Sequence, residues 1–179
     1  MDRRGLIPNR RTIEDRPLIV DERSRIGDWE ADTVIGKHHR HAIVSLVERR
    51  TGLTLIHKVE RKTAQAVGQA MVRLLKPYRN KVHTITSDNG REFAGHEAVA
   101  KQLKADFYFA HPYASWEHGT NENTNGLIRQ YFPKHRNFTT ITQQEIDMAM
   151  ERLNNRPRKR LGYQTPNQVF FESGFALQT

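Results

Sequence analysis

From Ile26 onward, apolar and polar positions alternate in short runs. The stretches IGDWEADTVIG, HAIVSLVER and GLTLIHKVE follow one another, the latter two joined through RRTG, and predict an antiparallel meander of three strands. The period then changes. Val67, Ala70, Met71, Leu74 and Leu75 fall on the i, i+3, i+4, i+7, i+8 stripe of a helix buried on one face, which Pro77 closes. VHTITS predicts a short buried strand that ends in the turn Asp88-Asn89-Gly90. A brief helix over residues 96–103 leads to a further strand, ADFYFA. Helix-forming residues then run over about 121–131 and stop before Pro133. A last clear helix opens on Thr142-Gln-Gln-Glu145, the pattern of a capping box, and carries Ile146, Ala149, Met150 and Leu153 on one face.

Three strands, then helix, strand, helix, strand, helix and helix imply an α/β fold: a mixed five-stranded sheet with helices on both faces. The ribonuclease-H-like fold has this order. Residues 1–25 are polar, basic and proline-containing, and read as an arm or linker whose abrupt start suggests that a preceding segment has been removed. Residues 26–179 form the expected core, ending in a basic loop and a helix.

Composition narrows the partners. Twenty-nine Lys and Arg against twenty Asp and Glu give a formal charge of +9. Such a balance points to a polyanion, most often nucleic acid, although a basic protein without one is the plainer reading. The charge clusters at Arg3, Arg4, Arg10 and Arg11, and again at Arg156, Arg158, Lys159 and Arg160. No apolar run has the length of a membrane span, and the start lacks the apolar stretch of a secretory signal. With no cysteine there is no disulfide, thiol nucleophile or zinc–thiolate site, and a cytoplasmic protein is expected.

Three carboxylates stand where chemistry is plausible. Asp32 lies inside the first strand, where a buried charge is costly unless a cation compensates it. Asp88 follows the strand VHTIT at its carboxyl end, and Glu122 starts a helix after the polar HGTN. Converging, they suit magnesium, which takes one or two carboxylates per ion and keeps its remaining positions for water and phosphate oxygens. Two ions about 4 Å apart assist in-line displacement at phosphorus. Each carboxylate alone also fits a cap, a turn or a salt bridge. Asp28 and Glu30 share a strand face with Asp32, so alternation does not choose among the three.

The segments GDWEADTVIG, HTITSDNGREF, YFAHPYASWEHGTNENTNGLIRQYFPK and LNNRPRKRLGYQTPNQVFF resemble the insertion-sequence-thirty family of bacterial transposases, within the retroviral-integrase-like superfamily. The resemblance runs from IPNR near the start to the terminal TPNQVFF. It implies a catalytic triad of Asp32, Asp88 and Glu122, the last two separated by 33 residues, similar to the family's spacing. It also implies two magnesium ions, with manganese as a substitute, and a basic residue seven positions after the glutamate, here Arg129. Seven helical positions fall about 20° short of two turns, so Glu122 and Arg129 share a face and Arg129 can hold a phosphate. The implied activity is metal-dependent DNA cleavage and strand transfer. The implied partners are transposon ends and target DNA, with assembly as a homodimer or larger complex at the bacterial nucleoid. Family members carry a helix-turn-helix region ahead of this core, and nothing here resembles one.

Weaker signals remain. His38, His39 and His41 suggest a metal ligand set, but without a second cluster they read as a solvated turn. Tyr113 and Trp116 suit stacking on an unpaired base or plain packing, and His118 suits proton transfer or the surface. Lys134 and the Arg156–Arg160 run are expected on the DNA backbone, positioning it without reading sequence. Two rival functions stay open: a nuclease of the same fold that cuts without joining, and a non-catalytic DNA-binding module.

Overall fold

The computed structural model describes residues 6–112 and 119–172. Five strands, β1 (Asp28–Ile35), β2 (Ala42–Glu48), β3 (Thr54–Val59), β4 (Thr84–Ser87) and β5 (Asp106–Phe109), form one sheet in the order β3-β2-β1-β4-β5. β1, β2 and β3 pair antiparallel, as the meander predicts, whereas β4 lies parallel to β1 and β5 parallel to β4. The parallel pairs need crossovers, supplied by α2 (Ala64–Leu75) and α3 (His96–Leu103). α4 (Gly119–Tyr131) and α5 (Gln143–Asn154) follow β5. Two short helices, α1 (Leu18–Glu22) and α6 (Pro166–Glu172), flank this unit. The mixed sheet covered on both faces is the expected ribonuclease-H-like architecture.

Alternation along β1 sorts its side chains between two cores. Trp29 and Ala31 point to one face and pack with Val67, Met71 and Leu75 of α2 and Val99 and Leu103 of α3. Val34 points to the other and packs with Ile128 of α4 and Ile146, Ala149 and Leu153 of α5. Asp28, Glu30 and Asp32 have the parity of Val34, so all three lie on the α4–α5 side of the sheet. Caps hold the helices in place. Thr63 accepts a hydrogen bond from the Ala66 amide at the start of α2, and Thr142 and Glu145 form the expected capping box on α5.

The segment expected as an arm does more than link. Residues 13–15 make a 3-10 turn, α1 follows, and Ile7, Arg16 and Val20 are buried. The Arg11 carbonyl accepts from the Phe109 amide at 2.8 Å, which ties this stretch to the edge strand β5. Its sparse apolar positions concealed this packing, because one of its buried side chains is an arginine. Arg16 donates to Thr86 Oγ1 at 3.0 Å and to Asp21 at 2.6 Å. Among the described residues, no helix is long and apolar enough to cross a membrane.

Candidate active site

The register of the parallel strands β1 and β4 puts two of the candidate carboxylates at the same end of the sheet. Asp28 pairs with Thr84, Trp29 with Ile85 and Glu30 with Thr86. Asp32 lies two residues past Glu30, and Asp88 two residues past Thr86. Asp88 leaves β4 in a tight turn, with its Oδ1 accepting from the Gly90 amide at 2.8 Å. The turn is anchored from the far side by Asn89, which donates to the Ala110 carbonyl at 2.6 Å and accepts from Arg10.

Asp32 is half-buried. Its Oδ1 accepts from the Thr33 amide at 2.8 Å, and its Oδ2 accepts from Asn125 Nδ2 at 2.6 Å. Asn125 belongs to α4, three residues after Glu122, and positions 122, 125 and 129 lie along one flank of a helix. That flank is therefore the one turned toward β1. The Glu122 backbone is part of α4, and its side chain lies outside the described residues. Asn125 Oδ1 is buried and has no hydrogen-bond partner among the described residues, which leaves an acceptor beside Asp32 for a donor.

The rival carboxylates are otherwise engaged. Both Asp28 oxygens accept from the Arg25 guanidinium, at 2.9 and 3.0 Å, and Oδ1 also accepts from Thr84 Oγ1 at 2.8 Å. Glu30 is fully buried and paired with Arg49, whose Nε donates to the Val20 carbonyl at 3.2 Å. These are neutralised structural charges. Asp32 accepts instead from two neutral N–H donors, the Thr33 amide and Asn125, which orient its carboxylate.

Arg129 sits one turn beyond Asn125. It is half-buried, burial lowers its pKa from the ordinary arginine value, and its nearest acceptor is the Phe132 carbonyl at 3.5 Å. No carboxylate among the described residues pairs with it. Lys134 is exposed in the turn after α4, and the Arg136 carbonyl of that turn accepts from the Lys37 amide beyond the end of β1 at 2.8 Å. Arg156, Arg158, Lys159 and Arg160 are not beside the carboxylates. They border a cleft with Thr120, Asn123, Thr124 and Leu127, roughly opposite to Asn125 and Arg129 around α4. Tyr113, Trp116 and His118 lie outside the described residues. Sequence reasoning passed over Asn125; its one signal is the i+3 spacing from Glu122. Among the described residues no group of three or more His, Cys, Asp or Glu is placed to hold a metal ion.

A mixed sheet in the order β3-β2-β1-β4-β5, with helices on both faces, is a ribonuclease-H-like fold. Solved structures agree on the fold. The catalytic core of BIV integrase superposes with a TM-score of 0.66 at 23% identity, covering 85% of this chain and 98% of that one. A chain of the simian T-cell lymphotropic virus intasome, in complex with PP2A regulatory subunit B56 gamma, gives 0.68 at 17% identity, covering 82% and 55%. No family model matches the chain. Sequence relatives are more specific. The transposase for insertion sequence element IS4351 of Bacteroides fragilis is 52% identical over 93% of this chain and 51% of its own length. The transposase InsI for IS30A of Escherichia coli K12 is 39% identical over 96% and 44%, and the transposase for IS1086 of Cupriavidus metallidurans 38% over 94% and 50%. By sequence the chain is similar to these insertion-sequence transposases, and it spans about half the length of the curated relatives it matches.

Proposed function

We propose that this chain is the catalytic domain of a DNA transposase, cutting a phosphodiester to expose a 3′-hydroxyl and then joining that hydroxyl to another strand. The observation that carries the reading is the hydrogen bond from Asn125 of α4 to Asp32 of β1. It supports a site in which the flank of α4 carrying position 122 faces the end of the sheet where Asp32 and Asp88 stand.

The donor set suits magnesium or manganese. Carboxylate oxygens are hard ligands, and the orphaned Asn125 Oδ1 suits the added donor that a hydrated cation would bring. Asp32, Asp88 and Glu122 are the residues that would hold two such ions. When bound, the ions supply Lewis acidity toward the phosphate and ease deprotonation of the attacking hydroxyl.

The protein's own groups do the rest. The Thr33 amide and Asn125 hold the Asp32 carboxylate in one orientation, and the Gly90 amide does the same for Asp88. Arg129, on the flank of Asn125, offers a planar fork to the phosphate beside the bond being broken. Lys134 adds a positive charge where the DNA backbone leaves the site. Trp116 is assigned to stacking on a base near the cut. This activity belongs in the bacterial cytoplasm, at the nucleoid, in a dimer or larger assembly on paired DNA ends.

The test is incubation of end-labelled duplex with magnesium, then with EDTA, and separation of products by size. Shortened and joined strands in magnesium alone support a transposase. Shortened strands without joined ones reduce the reading to a nuclease. Unaltered DNA that is nonetheless bound leaves a DNA-binding module.

A further inference from the structure

A cleft of about 450 Å³ opens between α4, the β2–β3 turn and the loop that follows α5. Five cations border it, Arg23, Arg156, Arg158, Lys159 and Arg160, and no carboxylate does so among the described residues. Three of the five cations are held by hydrogen bonds. Arg158 donates to the Leu153 carbonyl at 2.8 Å, Arg160 to the Arg50 carbonyl at 2.8 Å, and Arg156 to Gln130 Oε1 at 3.3 Å. Among the described residues, two polar groups at the cleft are buried with no hydrogen-bond partner, Arg158 Nε and Thr120 Oγ1. Burial, followed by the charges of Arg156 and Arg160, lowers the Arg158 pKa; burial and then Arg49 lower that of Arg23, with Arg160 adding to the effect. Like charges held together around orphaned hydrogen-bonding groups are relieved by an anion. One phosphate neutralises one or two cations, whereas five strung along an open cleft match a run of phosphates.

We propose that this cleft is a second DNA-backbone site, gripping phosphodiesters remote from the bond that is cut. The inference rests on the chain acting on DNA. The lining positions of α4 face away from Asn125 and Arg129, and a helix with its side chains is about 10–12 Å across. A phosphate in the cleft is therefore not the one beside Asp32 and Asp88. It belongs to flanking DNA or to a second duplex, and the cleft fixes the angle at which that DNA crosses α4.

The experiment measures binding of a fluorescent duplex of mixed sequence in EDTA, so that the result does not depend on cutting. Arg156 and Lys159 are exposed, and the double variant R156A/K159A is checked for an unchanged melting temperature. It should lose about tenfold in affinity, and its dependence of log K on log salt should fall by about two units. The pair K76A/R79A, on the exposed stretch after α2, removes the same charge from outside the cleft lining and should change neither by more than about twofold. Equal losses in the two double variants would overturn the proposal. Acylation of lysines read by mass spectrometry provides the local signal. Duplex should protect Lys159 and leave Lys76 reactive, and equal labelling of Lys159 with and without duplex would overturn the proposal. So would protection by inorganic phosphate alone to which duplex adds nothing, since that describes a small-anion site. If Lys159 is protected in EDTA and magnesium yields no cleavage, the cleft stands and the catalytic reading fails. If DNA is cut while Lys159 stays reactive, the reverse holds.

Discussion

Asn125 Nδ2 donates to Asp32 Oδ2 at 2.6 Å across 93 residues of sequence, and this bond fixes how α4 is turned against the sheet. A side chain that orients a metal-binding carboxylate typically contributes 10–100-fold to metal affinity or turnover. Asn125→Ala should therefore lower magnesium-dependent cleavage by about that factor and raise the magnesium concentration needed for half-maximal rate. Circular dichroism should be unchanged, because the helix is held by Ile128 and Phe132 in the core. Unchanged magnesium dependence in a folded Asn125→Ala protein would detach this residue from the site.

Arg129 allows a sharper separation of chemistry from packing. Its guanidinium is half-buried, and no carboxylate among the described residues pairs with it, so an arriving phosphate has little competition. Arg129→Ala should lower strand transfer by about 10²-fold, as expected for loss of a donor to the transition state. Arg129→Lys should keep part of the rate, because a point charge remains after the planar fork is lost. Melting curves discriminate: if the Ala variant unfolds early, the aliphatic stem was supporting the fold. If it is folded and fully active, the phosphate role is wrong.

Asp28 and Glu30 should reveal themselves through stability. Glu30 is fully buried against Arg49, with Arg16 close by, so Glu30→Gln leaves cationic charge buried and uncompensated. The expected cost is about 3–5 kcal/mol, seen as a large drop in melting temperature. Asp28→Asn breaks the paired bonds to Arg25 and should cost less, because the Arg25 side chain is 30% exposed. Conversely, Asp32→Asn should leave the melting temperature unchanged or raise it in EDTA, since the site gathers negative charge. If Glu30→Gln melts with the parent while Asp32→Asn is strongly destabilised, the assignments of these carboxylates are reversed.

Much of this was legible in the residues. The change of period from two to 3.6 marks the passage from meander to crossover helices, and Thr142 and Glu145 mark the start of α5. The choice among Asp28, Glu30 and Asp32 was not available from periodicity, since all three share a parity. What separates them structurally is the arginines, Arg25 from the turn before β1 and Arg49 from the turn after β2, and such partners are tertiary facts. Asn125 was passed over because a polar residue on a polar helix resembles a solvated face. The position of the Arg156–Arg160 run, across α4, depends on how the chain leaves α5, and local sequence does not encode that angle.

The central claim is that Asp32, Asp88 and Glu122 form one metal site. The most direct measurement compares Asp32→Asn, Asp88→Asn and Glu122→Gln with the parent on one labelled duplex, in magnesium, beside their melting curves. Each amide is nearly isosteric with the acid it replaces, so a folded protein with a damaged site is the expected state. All three should lose cleavage and joining by at least about 10³-fold, without additive loss in the Asp32→Asn/Asp88→Asn pair. Any one of the three that stays folded and cuts at the parental rate would contradict the account.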